Sequence, residues 1–298
     1  MRPINIVEGE HFRDLISNLE PGYEMPGRTF FGKQIETTYS QYKCKLMSIL
    51  KEQNVISITT DAWTSIRMEA YITVTAHFVM AGELQNYVLS TTQIVGDQTG
   101  INLKSYILYV LNDFSIPPSS IFAIVTDNGA NVVSACKILQ TEHGWHHIRC
   151  AAHTLQLCIK DAIKNTEIAR ALGAARHLVQ HFRRSAKCMT ALRRHAQSAD
   201  TEIKNIEMPI DVSTRWNSTF AMIANLVKNQ WIFRSVLADP TIVPRATAVS
   251  LELKDNHWSL LREISIILKP FKTASDHLEG SNYVTMSSLL PIANSLVV

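Results

Sequence analysis

Residues 55–80 decide the fold, and they read VISITTDAWTSIRMEAYITVTAHFVM. Apolar and polar residues alternate in two runs of this stretch, first around Ile56 and Ile58 and again between Ile72 and Phe78. A period of two predicts β-strands, and the short spacer between the runs favours an antiparallel pair. Another β-rich run follows at 84–95 after a second short spacer. The whole stretch therefore predicts three adjacent antiparallel strands.

The residues on both sides of these strands predict helices and two further strands. Downstream come a helix at 103–114, a buried strand at 121–125, a helix reaching residue 139, a short strand at 147–150 and a helix starting near residue 152. After about residue 160 only helical spacing remains. We therefore predict a helical lead-in over 1–53, an α/β domain with a mixed sheet over 54–160, and an all-helical domain over 161–298.

The composition excludes several classes of protein. With 46% hydrophobic and 18% charged residues among 298, the chain resembles a globular protein rather than a disordered or low-complexity one. Its net charge of +3 is too small to indicate a nucleic-acid-binding protein by itself, so any basic surface must be local. Five cysteines without dense spacing predict reduced thiols in the cytosol or nucleus. No stretch predicts a signal peptide or a membrane span.

Two aspartates each follow an apolar β-type run, Asp61 after ISITT and Asp127 after IFAIVT. In the predicted topology their strands, the first and the fourth, lie side by side in the centre of the sheet. Two carboxylates there could share Mg²⁺ ions, which take oxygen ligands and can stabilise attacking and leaving oxygens in phosphoryl transfer. The alternative is structural, because Asp before Asn-Gly is a common turn signature and Asp61 could cap a turn.

A cluster of zinc-type ligands comprises His146, His147, Cys150 and His153. A structural zinc site usually joins two separated ligand pairs, and only one Cys-x-x-His pair is present here, with Cys158 as one further candidate. We therefore expect no zinc within this chain. We expect Cys150 to be a core thiol and His153 a buried, hydrogen-bonded histidine.

The segment 168–199 contains no Asp or Glu but seven Arg and Lys residues. On one continuous helix with ~100° per residue, four of these cations fall within about 20° of one direction. They are Arg176, Arg183, Lys187 and Arg194. Such a stripe would attract DNA phosphates with an affinity that falls steeply with salt. The alternative is an ordinary solvated helix face.

The adjacent residues Arg215 and Trp216 are a second candidate for contact with DNA. A guanidinium and an indole are the side chains best suited to stacking on an unpaired base. A Trp is more often a core anchor, and the pair by itself does not decide between these roles.

Four motifs together resemble those of the hAT (hobo/Activator/Tam3) transposase superfamily, particularly its branch of BED-zinc-finger proteins. They are TTDAWTS at 59–65, IVTDNGANV at 124–132, CAAHTLQL at 150–157 and STRWNST at 213–219. Their order and spacing match the family, and four ordered motifs are far more specific than one. The resemblance extends over nearly the whole chain.

The resemblance implies a ribonuclease-H-like sheet of strand order 3-2-1-4-5, interrupted by an all-helical insertion. It implies that Asp61 and Asp127 are the first two acids of an Asp-Asp-Glu triad that binds two Mg²⁺ or Mn²⁺ ions. Cys150 and His153 would lie beside that site, and Trp216 would contact a flipped base. The implied partner is DNA and the implied compartment is the nucleus.

Against the family pattern we expect the chain to be incomplete at both ends. It has no BED finger before Val55, and Glu252, Glu263 and Glu279 do not match the motif of the third acid. The family's dimerisation segment is also expected to be missing, so a homo-oligomer would need that segment. We therefore expect a domesticated or truncated relic that acts as a DNA-associated or transcription-regulating nuclear protein and is inactive as this chain. The alternative is a fragment of an active cut-and-paste transposase.

Overall fold

The computed structural model describes residues 3–198, 208–212 and 215–297, and it has two compact units. Contacts divide the chain into unit 1, Met1–Ile148, and unit 2, Arg149–Val298. This division lies before the domain boundary that the sequence predicts near residue 160. The predicted boundary stays a prediction. Within the described ranges, no helix is both long and apolar enough to cross a membrane.

Unit 1 is a mixed sheet with helices. Its elements are α1 (Glu10–Leu19), α2 (Arg28–Lys51), β1 (Ile56–Thr64), β2 (Ala70–Met80), β3 (Glu83–Gln93), α3 (Gly100–Asp113), β4 (Ile121–Thr126) and α4 (Ala130–His143), and β5 (His146–Arg149) completes the sheet. The strand order is β3-β2-β1-β4-β5. The pairs β1/β2 and β2/β3 are antiparallel, and β1/β4 is parallel. The predicted α/β class, the mixed sheet and its ribonuclease-H-like strand order are confirmed.

The alternating pattern of the sequence builds the core of unit 1. Ile58, Val74 and Ile124 are fully buried on one face of the sheet, and they cluster with helix residues such as Ile107 and Leu139. Burial of one such side chain stabilises the fold by about 1.5–3 kcal/mol. The residues that alternate with them on the strands, such as Asp61 on β1, consequently belong to the opposite face.

Unit 2 is helical. Its elements are α5 (Ala151–Ala162), α6 (Thr166–Arg184), α7 (Ala186–Ser198), α8 (Trp216–Lys228), α9 (Gln230–Ala238), α10 (Arg245–Leu251), α11 (Asp255–Leu278) and α12 (Leu289–Leu296). Phe182 on α6 and Phe233 on α9 pack edge to face in its core, with ring centroids 5.1 Å apart. In the described part of this unit, the only β-type pairing is an isolated bridge between Val212 and Arg215.

Candidate functional site

The register of β1 against β4 places the two predicted carboxylates at the same edge of the sheet. These parallel strands pair Thr60 with Thr126, so Asp61 and Asp127 each follow one residue later. Successive side chains of a strand alternate between its two faces. Asp61 continues β1 on the face opposite to buried Thr60 and is exposed, whereas Asp127 is half-buried and is the first residue after β4. The prediction that the first and fourth strands lie side by side is confirmed.

Asp127 is held by the turn that leads into α4. The backbone N–H of Gly129 donates to Oδ1 of Asp127 at 2.9 Å, as in an Asx turn. A side chain at position 129 would place its Cβ 3.0 Å from the same oxygen, so the Asp127 side chain would have to move by a few tenths of an ångström to accept it. The structural alternative for Asp127 is therefore real, but it occupies only one carboxylate oxygen and is compatible with a second role.

The residues around Asp127 form a hydrogen-bonded chain. The hydroxyl of Thr126 donates to the backbone carbonyl of Asp127 at 2.8 Å and lies 3.0 Å from Nε2 of His147. A hydroxyl has a single proton, and Thr126 donates it to the Asp127 carbonyl. The Thr126 oxygen therefore accepts from His147, which donates from Nε2. Burial raises the pKa of the neighbouring Cys136 thiol to about 11, which keeps it protonated and inert. These contacts fix the end of β4 next to the carboxylates.

The donor set at the two strand ends fits a hard divalent cation. Asp61 is exposed, and carboxylate oxygens together with water suit Mg²⁺ or Mn²⁺. Throughout 3–198, 208–212 and 215–297, no group of three or more His, Cys, Asp or Glu side chains could hold a metal ion. Asp61 and Asp127 would therefore provide two protein ligands and leave the remaining positions to water or substrate oxygens.

Cys150 and His153 lie in unit 2, at the start of α5. Cys150 immediately precedes the helix, and its carbonyl accepts the backbone N–H of Thr154 at 2.9 Å. Both Cys150 and His153 are half-buried. The expectation of a core thiol and a buried histidine is therefore wrong, because the first turn of α5 leaves both side chains partly accessible.

The predicted basic stripe is not one helix face, because the helix breaks at Ser185. The backbone N–H of Ser185 closes α6 by bonding to the His181 carbonyl at 3.1 Å, and its hydroxyl accepts the N–H of Cys188 at 3.2 Å. Serine favours this N-cap position because its oxygen satisfies a free N–H of the first turn. Arg176 and Arg183 consequently belong to α6, while Lys187 and Arg194 belong to α7.

The four cations of the stripe differ in their partners. Arg176 makes a bidentate ion pair with Asp211, with Nε 2.7 Å from Oδ1, and the Asp211 side chain is only 3% exposed. Arg183 donates to the backbone carbonyl of Met208 at 2.8 Å. Lys187 and Arg194 are exposed. Arg176 therefore pairs with a carboxylate inside unit 2, whereas Arg183 is exposed, bonds a neutral carbonyl and, like the α7 cations, keeps its charge at the surface.

Arg215 and Trp216 are adjacent in the sequence but differ in burial. Arg215 is exposed, whereas Trp216, the first residue of α8, is 2% exposed and lies in the core of unit 2. This burial agrees with the core-anchor alternative, and contact between Trp216 and a base stays a prediction. Two other residues of this motif, Ser213 and Thr214, lie outside the described residues.

Sequence reasoning missed two features near these sites. Asp211 pairs with Arg176 and begins the segment DVSTRWNST. Because the run 168–199 around Arg176 has no acid of its own, the negative charge of Asp211 was the available signal of a partner. Trp63 and Tyr71, directly opposite each other on β1 and β2, stack with ring centroids 4.7 Å apart. The available signal in the sequence was the period-two spacing of this strand, which places Trp63 on the same face as Asp61.

Comparisons with known proteins agree with this architecture. The ZBED1 RNase-like domain matches residues 59–151, and the ZBED1 RNase-like helical domain matches 148–264. A Zea mays protein named as an AC transposase is 29% identical over 95% of this chain and 36% of its own length. The human zinc finger BED domain-containing protein 4 is 22% identical over 99% of this chain and 25% of its own length.

A third relative is named as a regulator of transcription. A Talaromyces stipitatus protein named as the transcriptional regulator tpeD is 25% identical over 99% of this chain and 38% of its own length. The chain therefore spans only about a quarter to two fifths of these relatives, between 25% and 38% of their lengths.

Proposed function

The chain belongs to the hAT transposase superfamily, in the branch of the BED-zinc-finger proteins, and from this premise we propose that it is a nuclear, DNA-associated protein of transposase origin. A relative named as a transcriptional regulator extends the proposal to gene regulation at the bound DNA. In this proposal the chain acts as a domesticated relic, and DNA binding rather than strand transfer is its working activity.

One observation carries the proposal of DNA binding, namely the exposed cations of α7. Lys187, Arg193 and Arg194 are all exposed, and α7 itself contains no acidic residue; the Asp239 carboxylate after α9 interacts electrostatically with Arg194. A cationic helix surface binds phosphates by releasing condensed counterions, which makes the affinity strongly dependent on salt and weakly dependent on sequence. Arg176 contributes less because Asp211 holds and neutralises its guanidinium group, whereas Arg183 bonds the neutral Met208 carbonyl.

The test is a titration of labelled duplex DNA at several salt concentrations. Charge reversal in the double variant Lys187→Glu/Arg194→Glu should weaken binding and lower the slope of log affinity against log salt by ~2. The matched control Lys228→Glu/Lys269→Glu reverses two exposed charges elsewhere in unit 2 and should leave the slope closer to that of the unchanged chain. Equal binding by the α7 variant and its control would contradict a role for α7.

A second candidate function is metal-dependent DNA strand cleavage and transfer, and the adjacent positions of Asp61 and Asp127 favour it. A divalent ion there would lower the charge on a bound phosphate and activate water. Asp127 is prepared for this role because Gly129 fixes one carboxylate oxygen at 2.9 Å and orients the group. An enzyme and a relic that has kept both acids share this geometry, so only measurement separates them.

Mn²⁺ titration calorimetry separates the site from its surroundings. The double variant Asp61→Asn/Asp127→Asn should lose Mn²⁺ binding, whereas the control Asp14→Asn/Asp97→Asn, which removes two exposed acids of unit 1, should keep it. Unchanged binding in the first variant would reject the site. Metal-dependent cleavage of DNA that the same variant loses would establish the enzyme over the relic.

A further inference from the structure

Trp63 and Tyr71 form a stacked aromatic pair at the end of β1 and the start of β2 in unit 1. They are directly opposite in the antiparallel pairing of β1 and β2, and their rings stack with centroids 4.7 Å apart and planes 17° apart. Trp63 is nevertheless 44% exposed. Because a cross-strand partner covers only one side of an indole, this exposure leaves room for another planar group to stack on Trp63.

Polar contacts hold this aromatic pair in place. The hydroxyl of Tyr71 donates to Oε2 of Glu69 at 3.0 Å. The Oγ of Ser65 accepts the backbone N–H of Glu69 at 3.2 Å, and the backbone N–H of Ser65 donates to the Glu69 carbonyl at 2.8 Å. The loop that joins β1 and β2 is therefore closed at its base, and the rings need little ordering when a ligand arrives.

The platform lies beside the candidate metal site. Trp63 follows Asp61 by two residues on β1, so both occupy the same sheet face, ~7 Å apart along the strand. A nucleotide has a base and a phosphate separated by a comparable distance. One nucleotide could consequently place its base on Trp63 and its phosphate near Asp61, provided that the negative charges there are offset.

The local charges match such a ligand in the presence of a divalent cation. Arg67 is exposed in the loop between β1 and β2 and can contact the backbone of a nucleic acid. The negative charges of Asp61 and Glu69 would repel a phosphate. A cation bound by Asp61 and Asp127 would remove the repulsion from Asp61, the acid nearer to the proposed phosphate. An aromatic platform combined with cations is the usual means of binding single-stranded DNA.

We propose that Trp63, supported by Tyr71, is a stacking platform for an unpaired DNA base next to Asp61. The proposal rests on DNA association as the function of the chain, and it assigns base contact to an exposed indole of unit 1. Trp216, the indole that the sequence singled out, is 2% exposed in this structure and offers almost no surface for stacking.

The test compares single-stranded and duplex DNA with the full chain in Mg²⁺ at fixed salt. Stacking of a base on an aromatic side chain predicts a loss of about tenfold in affinity for single-stranded DNA in Trp63→Ala. Affinity for the duplex should change little, because its bases are already stacked. The control Trp231→Ala removes an indole of similar exposure, 46%, from α9 and should change neither affinity.

The outcomes distinguish this proposal from the one on which it rests. If the unchanged chain binds DNA and Trp63→Ala binds single strands as well as the unchanged chain, the platform is rejected and DNA association stands. If the unchanged chain binds only duplex DNA, the platform is also rejected. If it binds no DNA at all, both proposals are overturned.

A second measurement does not depend on the folding of the variant. Photo-crosslinking of the unchanged chain to an oligonucleotide that contains iodouracil joins the base to aromatic side chains stacked against it. Peptide mapping should place the crosslink on Trp63 or Tyr71. A crosslink found only in unit 2 would overturn the proposal, and Trp63→Phe, which keeps a smaller ring, should retain part of the affinity.

Discussion

Unit 1 and unit 2 each contain an aspartate and a tryptophan in or next to a family motif, and the two units place them in opposite environments. At the end of β1 in unit 1, Asp61 is exposed and Trp63 is 44% exposed. In unit 2, the Asp211 side chain is 3% exposed against Arg176, and Trp216 is 2% exposed. The same residue types thus serve a surface in one unit and the interior in the other.

The difference follows from the geometry of the two kinds of element. A strand alternates its side chains, so a residue next to a buried Thr60 lies on the other face at the open end of the sheet. A helix surrounded by helices has no such open end, and the first residue of α8 enters the core directly. A motif therefore marks a residue without specifying whether chemistry or packing uses it.

The largest expected effect comes from the buried indole of unit 2. Trp216→Ala removes a 2% exposed side chain and should lower the free energy of unfolding by about 3–5 kcal/mol, because it leaves a cavity. The exposed Trp231 is the control, and its change to Ala should cost about 0.5 kcal/mol. Denaturant unfolding followed by circular dichroism measures both. Equal losses would mean that Trp216 is not a core residue.

The ion pair of unit 2 should give the next effect. Asp211→Ala leaves Arg176 without its carboxylate, and we expect a loss of about 2–3 kcal/mol, less than for a fully buried pair because the arginine is 41% exposed. The control is Asp255→Ala, since Asp255 is 94% exposed in its pair with Arg234, and its loss should be below ~1 kcal/mol. Comparable losses from both changes would show that burial of Asp211 adds nothing.

A smaller effect is expected at the carboxylate of unit 1. Asp127→Ala removes the acceptor of the Gly129 N–H at 2.9 Å and should cost about 1 kcal/mol, the usual net contribution of one hydrogen bond. Asp127→Asn keeps a carbonyl oxygen in the same position, so it should keep most of the stability. If stability falls equally in both variants, the hydrogen bond to Gly129 is not the source of the effect.

The last prediction leaves every residue unchanged and compares the opening of the two units. Cys44 and Cys158 are exposed, whereas Cys136 in unit 1 and Cys188 in unit 2 are buried. Thiol alkylation in native conditions should modify the exposed pair first and reach the buried pair only when each unit opens. Because burial raises the pKa of Cys136 to about 11, its rate should still be rising with pH above the range where an ordinary thiol levels off. Rapid alkylation of Cys136 at neutral pH would contradict a closed unit 1.

The fold was predictable from the sequence because its signals are local. Alternation around Ile58 and Ile72 marks strands wherever the chain goes, and the loss of that period after residue 160 marks the helices. The strand order came from the resemblance of the four motifs to a family. The break between α6 and α7 was missed because the charge pattern suggested one helix, although Ser185 is a favourable N-cap residue.

The candidate site was predictable only in part. Asp61 and Asp127 could be paired in advance because parallel neighbours put the ends of their strands at one edge. The stacking of Trp63 on Tyr71 could not be predicted, because it depends on the register in which β1 pairs with β2. The partial burial of Cys150 and His153 likewise depended on how the first turn of α5 packs.

By itself the sequence determined which segments are strands and helices, which family the motifs belong to, and where the charges lie. Only the tertiary structure decided that Arg176 pairs with Asp211, 35 residues away, and that Trp216 fills the core while Trp63 stays accessible. The physical reason is that periodicity and capping act within a few residues. Burial and ion pairing depend on distant residues that meet only after the chain has folded.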